Sequence, residues 1–69
     1  MGKFWALIIQ PNLNVERAWV NNEQVAEILS KNPECRVYRQ GNDQVAISID
    51  TLGVKQVVWF DAAMHKEYK

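Results

Sequence analysis

The sequence predicts an α+β fold: a small two-layer domain in which an antiparallel sheet of about four strands carries a helix on one face. Three observations lead there. Residues 35–50 read as a β-hairpin, residues 22–32 as a capped amphipathic helix, and residues 3–10 as a short, nearly continuous apolar strand. With a third meander strand over residues 54–60 and a helical tail, the expected order is β-α-β-β-β-α.

The hairpin is the firmest element. Gly41, Asn42 and Asp43 separate two runs of strand-forming residues. Gly and Asn tolerate positive φ and Asp bonds its own backbone, so a loop of three or four residues forms at little cost. In the second run Val45, Ile47 and Ile49 alternate with Ala46, Ser48 and Asp50. Period two places the branched side chains on one face of the strand. In the first run Cys35 and Val37 share a face against Arg36, Tyr38 and Gln40. The reading is one buried face with Val45, Ile47, Ile49, Cys35 and Val37, and one wet face with Arg36, Tyr38, Ser48 and Asp50.

Lys3 to Gln10 reads KFWALIIQ, a run suited to the interior of a sheet, and Pro11 and Asn12 end it. Residues 13–20 fit two patterns. Leu13, Val15, Arg17 and Trp19 alternate, whereas Val15, Ala18, Trp19, Asn22 and Val25 follow helical spacing. The adjacent Asn21 and Asn22 are better caps than helix interior, so an irregular or one-turn segment is expected first and a helix from about Asn22. A single helix over residues 15–31 is the alternative.

Residues 22–32 carry an apolar stripe of Val25, Ile28 and Leu29, an acid in the first turn and a Glu27–Lys31 pair four apart. Pro33 ends the helix through its restriction on Asn32. In the VKQVVWF run the β-branched and aromatic residues after Gly53 favour a strand, and Asp61 is placed to cap a terminal helix. The rival reading makes residues 54–68 one long C-terminal helix, in the order β-α-β-β-α.

Composition narrows the function. The chain has 69 residues, hence a single domain, and eight Lys or Arg against eight Asp or Glu. Neither half shows the basic stripe that advertises nucleic acid or an anionic membrane. The run from Phe4 to Ile9 is too short for a secretory or spanning segment, and a single thiol suits a reducing compartment, so a cytoplasmic protein is expected.

No chemical constellation emerges. A Cys35/His65 pair has the chemistry of a thiol nucleophile, yet strand parity turns Cys35 toward the core and no third group stands at a recognised spacing. Asp61 and His65 lie four apart, half of what zinc requires. Asp43 and Asp50 lie about 23 Å apart along an extended strand, too far to share a proton. Gly2, Gly41 and Gly53 are isolated and make no phosphate loop. No enzyme activity, cofactor or metal is expected.

What remains is aromatic. Tyr38 between Arg36 and Gln40 on the wet face has the composition of a protein-binding hot spot, and Arg39, Lys55 and Trp59 complete the candidate set. The leading expectation is a non-catalytic binding module that acts through protein–protein contacts, as adaptor, inhibitor or homo-oligomer. A nucleic-acid platform on the same Arg/Tyr/Trp face is second, and a small thiol enzyme third.

Overall fold

A computed structural model describes residues 2–62. Its element order is β1 (Phe4–Ile9), β2 (Val15–Val20), α1 (Asn22–Lys31), β3 (Arg36–Arg39), β4 (Gln44–Thr51) and β5 (Val54–Asp61). The strands form one five-stranded sheet in the order β2-β1-β3-β4-β5, and every neighbouring pair is antiparallel. The domain is the expected sheet-and-helix α+β fold with one strand more than the four foreseen.

The additional strand is β2. Residues 15–20 are neither irregular nor part of a long helix: they pair with β1 from Ile9↔Val15 to Phe4↔Val20. The intervening loop accounts for this. The Leu13 N–H donates to the Gln10 carbonyl at 2.8 Å and the Asn14 N–H to Asn12 Oδ1 at 3.1 Å. Leu13 takes the left-handed position at φ 69°, the geometry of a three-residue hairpin loop. Pro11 therefore turns the chain back rather than merely stopping the strand.

The helix begins where the sequence places it. Asn21 Oδ1 accepts from the Gln24 N–H at 2.8 Å, and Gln24 Oε1 accepts from the Asn21 N–H at 2.9 Å, a complete capping box. Glu27 and Lys31 lie 3.6 Å apart. Val54–Asp61 form a strand, which corrects the long-helix alternative over 54–68. The β4–β5 turn is Leu52-Gly53, both at positive φ, as a tight two-residue hairpin requires. The terminal helix expected after Asp61 lies, from residue 63 on, outside the described residues, as does His65.

α1 lies across one face of the sheet and seals a core of Ala6, Ile8, Val20, Val25, Leu29, Cys35, Val37 and Ala46. Three sheet residues on this side are alanines, Ala6, Ala18 and Ala46, among the larger Phe4, Ile8, Val20, Val37, Val57 and Trp59. Short side chains let the helix approach closely enough for Val25 and Leu29 to be fully buried. Cys35 is buried, as strand parity suggested. Among the described residues no helix is long and apolar enough to cross a membrane.

Candidate interaction face

The register decides which residues share a surface. Val37 pairs with Ala46 and Tyr38 with Val45. Directly paired residues point to the same side of a sheet. Ala46 and Ser48 therefore face the helix with Val37, while Val45, Ile47 and Ile49 lie on the opposite side with Arg36 and Tyr38. This corrects the expected hairpin faces. The branched residues of β4 do not point to the helix-covered core, and Ser48 and Asp50 do not accompany Tyr38. Size misled the assignment, because the closely packed helix selects the smaller residues of β4.

The far side of the sheet is consequently apolar across its width. One cross-strand row runs Arg17, Leu7, Tyr38, Val45 and Phe60, and the next runs Val15, Ile9, Arg36, Ile47 and Val58. Trp19 and Trp5 form a third, pairing across β2 and β1. Their rings lie 5.1 Å apart, and the Arg17 guanidinium sits 4.1 Å above the Trp5 ring. Arg17 Nε also donates to Gln40 Oε1 at 3.1 Å. None of the described elements covers this face. Trp5 is 42% exposed, Trp19 51% and Phe60 38%.

The charge on this face is of one sign. Among the strand residues pointing to it, Arg17 and Arg36 are charged and none is a carboxylate. Arg17 stands on the edge strand β2, and Arg36 at the first position of the central strand β3. The area between them is uncharged.

The five candidate residues divide between the two sides. Arg36 and Tyr38 belong to the open face. Arg39, Lys55 and Trp59 belong to the helix side, through the pairs Ala6↔Arg39, Asp50↔Lys55 and Ala46↔Trp59. Arg39 is built into that side. Its guanidinium lies 4.0 Å over the Phe4 ring and 5.3 Å from the Trp59 ring, and Nη2 donates to Asn22 Oδ1 at 3.3 Å. Phe4 and Trp59 meet edge to face at 5.9 Å. These contacts tie the start of α1 to the sheet, so Arg39 and Trp59 hold the helix in place. Lys55 is exposed beside Gln56 at the outer strand.

Sequence reasoning missed Trp5, Arg17, Trp19 and the β4 branched residues as members of the open face. A usable signal existed: Trp5, Leu7 and Ile9 are all apolar and alternate with Phe4, Ala6 and Ile8, so β1 has two apolar sides, of which α1 covers one. No group of three His, Cys, Asp or Glu is placed to hold a metal ion among the described residues.

The chain matches no family model, no curated protein and no solved structure.

Proposed function

We propose that this protein is a non-catalytic intracellular binding module and that the sheet face opposite α1 is its protein-docking surface. The observation that carries the reading is the continuous apolar face, with Trp5, Trp19, Tyr38 and Phe60 interspersed and carboxylates absent from its strand residues. Aromatic residues and Arg over a branched aliphatic ground are the composition that concentrates binding energy at protein interfaces. A patch of this extent on a small domain marks an interaction site. Cys35, the thiol of the enzymatic alternative, is shielded by its burial in the core.

The test places the photo-crosslinker p-benzoylphenylalanine at Trp19, on the open face, or at Glu23, on the exposed side of α1, in the full chain inside its host cell. Protein adducts from the first position and none from the second support the reading. Equal adducts from both, or none from either, overturn it.

The one-signed charge of the face favours nucleic acid as a second reading. It predicts binding of a 15-residue oligothymidylate that weakens steeply with added salt. No binding at about 50 mM salt eliminates that alternative.

A further inference from the structure

On its helix side the sheet supports a thin core. Leu29, Val25 and Val37 are the largest side chains fully withdrawn from water among the described residues. A 69-residue chain with a single cysteine is marginal with so few large side chains buried among the described residues. Phe4 and Trp59 pack against that core, whereas Trp5, Trp19, Phe60, Ile47 and Ile49 lie on the other side, where none of the described elements seals them. At ~150–250 Å² for a whole aromatic side chain, the exposed parts of Trp5, Trp19 and Phe60 alone leave on the order of 300 Å² of ring surface in water.

The dimensions of the face suit one occupant in particular. Five strands about 4.8 Å apart and strands of about 20 Å in length give a face of roughly 500 Å² in plan. Two such faces together reach the ~1,000 Å² that a specific interface requires. Charge on the face is sparse: Arg17 lies on the edge strand β2, Arg36 is exposed at the first position of the central strand β3, and Leu7, Tyr38, Val45, Ile47 and Val58 are uncharged. An uncharged apolar surface is complementary to itself, as a two-fold interface demands. Nucleic acid fits less well, because the ring it would stack on, Trp5, already carries Arg17 at 4.1 Å and Trp19 at 5.1 Å.

We infer that a second copy of this chain docks on the open face, sheet against sheet, to give a helix–sheet–sheet–helix dimer. The inference rests on the reading of that face as a docking surface and names its occupant. Two sheets packed in this way stand about 10 Å apart with interdigitating side chains. The branched residues of β4 then form the missing half of the core.

Sedimentation equilibrium of the full chain over about 1 to 100 μM tests it, with Phe60→Glu as the interface variant and Lys31→Ala on α1 as the control. The expected results are twice the chain mass for wild type and Lys31→Ala, and association weakened at least ~100-fold, toward monomer, in Phe60→Glu, whose circular dichroism remains that of the folded chain. A Phe60→Glu variant that stays folded and dimeric overturns the inference, because the copies then meet elsewhere. A wild-type monomer that binds anilinonaphthalene sulfonate overturns the second copy but leaves the face as a docking surface for another protein. A wild-type monomer that does not bind the dye overturns both. Mixed-isotope NMR decides the matter if Phe60→Glu does not fold. Nuclear Overhauser contacts between the Ile47, Ile49 or Val58 methyl groups of one copy and the same set in the other support the dimer, and intermolecular contacts confined to other surfaces overturn it.

Discussion

Leu52 is 98% exposed and Leu13 80% exposed, and both hold left-handed backbone angles. A leucine gains nothing from packing at such a position and is strained by its Cβ. Leu52 occupies the first central position of a turn that prefers Asn. Leu52→Asn is therefore expected to stabilise the fold by about 1 kcal/mol, read from urea unfolding. Gly41, at φ 79°, is the opposite case. Its Cβ position is open, with nothing within 4 Å, so Gly41→Val is expected to lose stability through backbone strain alone, by about 1–2 kcal/mol in the same assay. Asn21→Ala removes one side of the capping box, and a loss of about 1 kcal/mol is expected on thermal or urea unfolding.

At the scale of elements, α1 is held by Val25 and Leu29 below and by the Arg39–Asn22 contact at its start. Leu29→Ala opens a cavity beneath a helix with few other anchors, and a loss of about 2–5 kcal/mol is expected by chemical denaturation. The helix, the β3–β4 hairpin and the strand nature of residues 54–61 were all legible, because each carries a local signal: a capping pair, a glycine-bearing loop, a cluster of β-branched residues. β2 was not. Val15, Arg17 and Trp19 on one face and Glu16, Ala18 and Val20 on the other satisfy strand and helix spacing alike, and what decides between them is the pairing with β1. The faces of β4 were misjudged for a related reason. Burial was assigned to the larger set of side chains, whereas the approach of a helix selects the smaller set. The split of the candidate site followed, since side-chain parity in β3 and β5 depends on a register that no single strand encodes.

At the scale of the whole molecule, the sheet has two apolar sides, and among the described residues α1 covers one and leaves the other for association. If a second copy supplies the cover, the apparent stability depends on concentration. Each tenfold increase in protein adds about 1.4 kcal/mol to the folded dimer. The expected outcome is a Tm that rises steadily as the wild-type chain is concentrated and stays fixed in Phe60→Glu, as calorimetry at several concentrations would show.

The sheet order also governs how the chain reaches its native state. β1 and β2 are neighbours in sequence, and so are β3, β4 and β5, so both groups close through short turns. The β1–β3 ladder alone joins residues far apart, from Ile9↔Arg36 to Ala6↔Arg39, across β2 and α1. Closing that gap costs about 3 kcal/mol of chain entropy before any contact repays it. The expected rate-limiting event is the meeting of a finished hairpin with a finished meander, with α1 as the tether. Ile8→Val and Val37→Ala, on paired positions of that ladder, should slow refolding. Val54→Ala, at the outer end of β5, should instead hasten unfolding and leave the refolding rate unchanged, a difference that stopped-flow kinetics resolves.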